Sequence, residues 1–143
     1  MQSWYLDVSL IGRYFGEKRV YHHTAPISMI YALHEALTRV LHEGLEARFA
    51  RHRRAHERLV AGLEPLGFRM LVAPAHRLPM LNTVLPPVAD EAKTRRRLLD
   101  ECDIEIGGGL GSLAGRVWRI GLMGENARPE VVDRLLTALR GLG

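Results

Sequence analysis

The sequence predicts an α+β fold: a small, mostly antiparallel sheet with helices on one face. Three observations carry this. From about residue 44 the elements run helix, two strands, helix, two strands, helix. The segment Val117-Trp118-Arg119-Ile120-Gly121-Leu122 is branched and aromatic and is bounded by glycine, the pattern of a strand. The glycine-rich stretch Gly107–Gly111 leads into that strand rather than into a helix. Ahead of this unit lie two helices that belong to something else, and the domain change falls near Gly44.

In chain order, Ser3 is a candidate cap for a helix through about Tyr14, ended by Phe15-Gly16. Glu17-Lys18-Arg19 is a charged turn. Thr24 and Pro26 then suit the opening of a helix with Ile27, Ile30, Leu33, Leu37, Val40 and Leu41 at helical spacing. Gly44 interrupts it. A further helix runs from about Leu45 to Leu66 and closes at Gly67. Phe68 to Val72 and Leu81 to Leu85 read as strands, the second stopped by Pro86-Pro87. Asp90 caps a helix through about Glu101, and Asp103 to Ile106 reads as the next strand. After Val117 to Leu122, Asn126 or Arg128-Pro129 opens a last helix with Val131, Val132, Leu135, Leu136 and Leu139 inward.

With 143 residues and 47% apolar content, the chain can bury an ordinary core. No apolar run approaches the roughly 20 residues of a membrane span. The start, Met-Gln-Ser-Trp-Tyr-Leu-Asp, lacks the pattern of a signal peptide, and Cys102 is the single cysteine. The ending Leu-Gly differs from a peroxisomal tripeptide, so the expectation is a cytoplasmic protein. Net charge is +4, but every basic residue except Lys18 and Lys93 is arginine, a skew of GC-rich coding. The arginines between Arg48 and Arg58 fall mostly off the apolar face of their helix, with no interleaved aromatic residues beyond Phe49. They form a solvated face, and no nucleic-acid partner is expected.

Arg119 is the first candidate for chemistry. If it alternates with Trp118 and Ile120, its guanidinium leaves the opposite face of the strand. Flanked by bulky apolar residues it needs an anion, and arginine fits a carboxylate with two parallel hydrogen bonds. A small carboxylate substrate is one partner; a structural ion pair with the chain's own acid is the other. Tyr21 and Thr24 are the second candidate. They stand just ahead of a helix N-terminus, where two hydroxyls could donate to a phosphate. An ordinary threonine cap beside a packed tyrosine is the alternative.

Other patterns carry less. Gly109-Leu110-Gly111-Ser112-Leu113-Ala114 matches G-x-G-x-x-A, but Gly115 and a strand follow where dinucleotide binding needs a helix. The glycines instead mark a tight backbone turn. His22-His23 is too short for a metal site, and Cys102 sits between Glu101 and Asp103, which disfavours a thiolate.

Taken together, Tyr21-His22-His23-Thr24-Ala25-Pro26, Tyr31-Ala32-Leu33-His34-Glu35-Ala36-Leu37 and Gly108-Gly109-Leu110-Gly111 leading to Val117–Gly124 resemble the class V aminotransferases. The nearest group is the alanine–glyoxylate and serine–glyoxylate aminotransferases. The resemblance implies a fold-type I enzyme using pyridoxal 5'-phosphate and working as a homodimer on a small amino acid and glyoxylate. Residues 1–43 would be the C-terminal tail of the large cofactor domain and residues 44–143 the small C-terminal domain. Tyr21 and Thr24 would bind the phosphate of the neighbouring subunit's cofactor, and Arg119 the substrate carboxylate. The family's cofactor-bonding lysine, its pyridine-pairing acid and its ring-stacking aromatic residue all lie N-terminal to the matching segment. Lys18 and Lys93 do not correspond to that lysine. The chain alone is therefore expected to be inactive in transamination. The alternative is a non-catalytic anion-binding or protein-interaction domain. Leu6, Leu10, Ile11, Ile27 and Ile30 are expected on an apolar patch that drives association.

Overall fold

The computed structural model describes residues 3–141. The chain divides into two compact units, Met1–His42 and Glu43–Gly143.

The first unit is helical. Helix α1 spans Val8–Phe15, and α2 starts at Ile27 and runs to Glu43. Asp7, not Ser3, is the cap of α1: its Oδ1 accepts from the Ser9 and Leu10 amides at 2.9 and 3.2 Å. Ser3 instead accepts from the Leu6 amide, closing a separate turn one step earlier. Both are good capping residues, and the carboxylate stands where the free N–H groups of the helix begin. Between the helices, His22 is buried under the N-terminal segment. Its ring stacks on Trp4 at 4.1 Å, and its Nε2–H donates to the Trp4 carbonyl at 3.0 Å. Its Nδ1 also lies 2.6 Å from His23 Nδ1, so the two rings are hydrogen-bonded to each other. Among residues 3–42 His22 alone is buried. Leu6, Ile27 and Ile30 lie exposed, while Leu10 and Ile11 are half-buried.

The second unit is an α+β sandwich. Helix α3, Leu45–Leu63, follows Gly44, whose φ of 80° only glycine adopts without strain. A 3-10 turn at Glu64–Leu66 and left-handed Gly67 complete the predicted stretch. The sheet comprises β1 (Arg69–Met70), β2 (Leu81–Leu85), β3 (Gly107–Gly108) and β4 (Trp118–Gly121). The order is β1-β2-β4-β3, antiparallel throughout. Helices α4 (Glu91–Cys102) and α5 (Pro129–Gly141) complete the unit. One core joins Leu59 and Leu63 of α3, Val84 of β2, Leu98 of α4, Trp118 and Ile120 of β4, and Val132, Leu135 and Leu136 of α5.

Two strands are placed differently from the sequence expectation. Asp103 takes a left-handed φ of 52° as the C-cap of α4, so residues 103–106 are not a ladder strand; pairing begins at Gly107, opposite Arg119. The first strand is two residues long rather than five, and the Phe68 amide ahead of it bonds back to the Leu63 carbonyl at the end of α3 at 3.2 Å.

Candidate functional site

Arg119 lies in the middle of β4, with Thr83 of β2 on one side and Gly107 of β3 on the other. Its neighbours Trp118 and Ile120 are buried in the core, and Arg119 is half-exposed, as alternation requires. The Nε–H donates to the Gly108 carbonyl at 2.7 Å. Among the described residues no carboxylate forms an ion pair with it. The structural ion pair that was the alternative for this arginine is therefore not formed.

The glycine-rich loop is built around this strand. A Cβ on Gly109 would lie 1.9 Å from the Leu113 carbonyl oxygen and 2.9 Å from Val117 Cγ2. Only glycine permits that approach, and Val117 is fully buried beneath it. Gly111 and Gly115 turn the chain with φ of 54° and 71°. The turn holds a 3-10 segment, Gly111–Leu113, and then enters β4, so the G-x-G-x-x-A match opens no helix.

On the core face of the same strand, the Trp118 indole N–H donates to Glu91 Oε2 at 3.0 Å, which also accepts from Arg95 Nε at 2.7 Å. The hydrogen bond from Arg95 is the main cause holding the Glu91 carboxyl below its usual range, with the Trp118 bond adding to it. Arg95 also reaches the Ile106 carbonyl at 3.4 Å. This network anchors α4 to β4 and to the segment that carries β3. It is a long-range arrangement with no local signature in the sequence.

In the first unit the Tyr21 hydroxyl and Thr24 Oγ1 lie 3.2 Å apart, both residues exposed, three residues before α2 opens at Ile27. The structure thus brings these two together at one point. The His23 ring lies 6.1 Å from Tyr14 and 4.6 Å from Tyr5, so the loop carrying the hydroxyls is packed from the N-terminal side. The His22–Trp4 contact behind it was not anticipated, because a His-His pair in a loop gives no sign of burial.

No family model matches the chain. Individual proteins do. A solved alanine–glyoxylate aminotransferase from Nostoc sp. superposes with a TM-score of 0.93 and 51% identity, over 98% of this chain and 37% of that one. The (S)-ureidoglycine–glyoxylate transaminase of Bacillus subtilis is 40% identical over 141 residues, 98% of this chain and 34% of its own length. The alanine–glyoxylate aminotransferase of Drosophila melanogaster is 42% identical over 95% of this chain and 36% of its own length. The chain is homologous to the C-terminal portion of the class V, glyoxylate-type aminotransferases. It spans about a third of the length of the relatives it matches. The α+β sandwich is the fold of that portion of these enzymes.

Proposed function

We propose that this chain is the C-terminal part of a transaminase that uses pyridoxal 5'-phosphate to pass an amino group to glyoxylate, from alanine or serine as donor. The observation that carries the reading is Arg119: a half-exposed guanidinium, fixed by a backbone carbonyl and free of any acid from the described residues. Such a group is set up to take a carboxylate. Glyoxylate is common to the names of the relatives at 40–42% identity, whereas the amino donor differs between them.

The residues present fit part of the cofactor. Two exposed hydroxyls 3.2 Å apart ahead of a 17-residue helix suit a phosphate group. When bound, the cofactor would supply an electron sink for the bond changes at the amino acid's α-carbon. Tyr21 and Thr24 would hold its phosphate, and Arg119 would orient the substrate by its carboxylate. Neither lysine fits the remaining role. Lys18 lies in the turn after α1 and Lys93 on the first turn of α4, both exposed, whereas a lysine that bonds the cofactor has to be enclosed beside it in a pocket. The chain alone is therefore inactive in this reading, with residues 1–43 as the end of the large domain and residues 44–143 as the small domain. The exposed apolar side chains of α1 and α2 support a homodimer in the complete enzyme.

The test is to titrate the purified chain with pyridoxal 5'-phosphate, reduce with borohydride and map modified lysines by mass spectrometry. Scattered, sub-stoichiometric labelling is expected. Stoichiometric labelling of Lys18 or Lys93 would show a self-sufficient cofactor site and sink the assignment. Salt-insensitive transamination should appear only when a separate chain carrying the missing portion is added, and should vanish with Arg119→Ala. Retention of anion binding without any such complementation would favour the non-catalytic alternative.

A further inference from the structure

Arginine carries five N–H donors, and it can take a carboxylate along two edges: side-on through Nε and Nη2, or end-on through Nη1 and Nη2. In this chain the Nε–H is already committed to the Gly108 carbonyl at 2.7 Å. That carbonyl is not free to move. Gly108 is paired in register with Trp118, and the next residue, Gly109, is pressed against the Leu113 carbonyl, where a Cβ would stand 1.9 Å away. The two glycines of β3 face opposite sides. A Cβ on Gly107 would lie 3.4 Å from Arg119 Nη2, whereas a Cβ on Gly108 would lie 2.9 Å from Arg95 Nη2 on the core face. A Cβ at Gly107 would touch Nη2 at van der Waals distance, so the bare backbone leaves more room beside one of the two donors that an end-on fork needs.

We propose that the Gly108 carbonyl and Gly107 are positioning groups for Arg119: the carbonyl occupies the Nε edge, the absent side chain leaves the Nη edge open, and a small carboxylate is taken end-on through Nη1 and Nη2. This rests on the reading of Arg119 as the carboxylate-binding group. It adds which edge binds and which neighbours set it.

The experiment is side-chain NMR of ¹⁵N-arginine chain, first free and then titrated with glyoxylate. In the free chain the Arg119 Nε–H should exchange more slowly than that of exposed Arg53; equal exchange would overturn the proposal. On titration the Arg119 Nη resonances should move more than Nε, and the reverse order would mean side-on binding and also overturn it. Gly107→Ala, whose methyl would touch Nη2 at van der Waals distance, should weaken glyoxylate binding about threefold, less than outright loss of one of two charged hydrogen bonds. Gly141→Ala, at the end of α5 with open space around the added methyl, should leave binding within about twofold; equal losses in the two variants would overturn the proposal. Arg119→Lys separates this from the underlying reading. If wild type shows no response at Arg119 and the lysine variant binds glyoxylate as well as wild type, the carboxylate reading fails. If Arg119→Lys loses binding while Gly107→Ala keeps it, that reading stands and the positioning role fails.

Discussion

Glu43 and Arg51 meet through two parallel hydrogen bonds, Nε to Oε1 at 2.6 Å and Nη2 to Oε2 at 2.9 Å. Arg48 adds a third to Oε2 at 3.0 Å. The two Nη1–H donors of Arg51 reach the Gly124 and Ala127 carbonyls at 2.8 and 3.0 Å. One guanidinium thus ties the start of α3 to the loop that leaves β4, and it sets two expectations.

The hydrogen bond from Arg51, followed by that from Arg48, holds the Glu43 carboxyl at about 2, below an ordinary 4.5. The folded value lies below the unfolded one. The ion pair's contribution is therefore complete above about pH 4.5 and is lost as pH falls from there toward 2. Urea unfolding of wild type and Glu43→Gln across this range should converge as the pH drops. A difference that stays constant across the range would show that the carboxylate's charge adds nothing. Arg51→Met, which also strands two carbonyls, should cost about 1–3 kcal/mol at neutral pH.

Gly62 is a packing glycine on α3. A Cβ there would stand 2.2 Å from Leu136 Cδ1 on α5, and Leu136 is nearly fully buried. Gly62→Ala would gain about 1 kcal/mol of helix propensity. Overpacking costs typically about 1–3 kcal/mol, so the net change should be destabilising. Leu136→Ala in that background should cost less than Leu136→Ala alone, because the new methyl fills part of the space. Thermal unfolding of the four chains gives the cycle; additive losses would show that the two positions do not meet.

Helices α1 and α2 contain no buried residue, and Met29, Tyr31 and Leu41 are exposed by 70, 73 and 81%. Leu33, Leu37 and Leu41, also exposed, recur at i, i+4 spacing on one side of α2, and an exposed apolar row of this kind drives association. Sedimentation velocity should show mass rising with concentration, and Leu33→Glu with Leu37→Glu should shift it toward monomer. A monomer at all concentrations would count against the association.

Much of this was legible locally. The caps at Asp90 and Gly67, the break at Gly44 and the strand Leu81–Leu85 are signalled by single residues whose backbone preferences decide the outcome. Ser3 and Asp7 are both good capping residues four positions apart, and a local pattern does not rank them. Gly107–Gly108 has no strand propensity; it pairs because β4 lies beside it. Arg119 was found from alternation along its strand, but the carbonyl that orients it is 11 residues earlier. Asn82 was missed altogether. It is buried in β2, donating to the nearby Pro79 carbonyl at 3.3 Å and accepting from His56 Nδ1 at 2.6 Å, a contact that exists only once α3 covers the sheet.

The Glu91–Trp118 bond gives the most direct measure of how α4 is fastened to the strand bearing Arg119. Trp118 is fully buried, so its indole N–H has no access to water if Glu91 is lost. Glu91→Gln keeps an acceptor for the indole and removes the charge shared with Arg95; a loss of about 0.5–1.5 kcal/mol is expected. Glu91→Leu leaves both donors unmet, and the loss should be greater by about 1–3 kcal/mol. Trp118→Phe deletes the stranded N–H, so in the Glu91→Leu background it should cost less than in wild type. The direction of the carboxyl's shift adds a pH signature. Its folded value lies below the unfolded one, so the difference between wild type and Glu91→Gln should be full at neutral pH and shrink as acid protonates the folded carboxylate. If Glu91→Leu and Glu91→Gln unfold alike, the indole bond is not what holds α4 on the sheet.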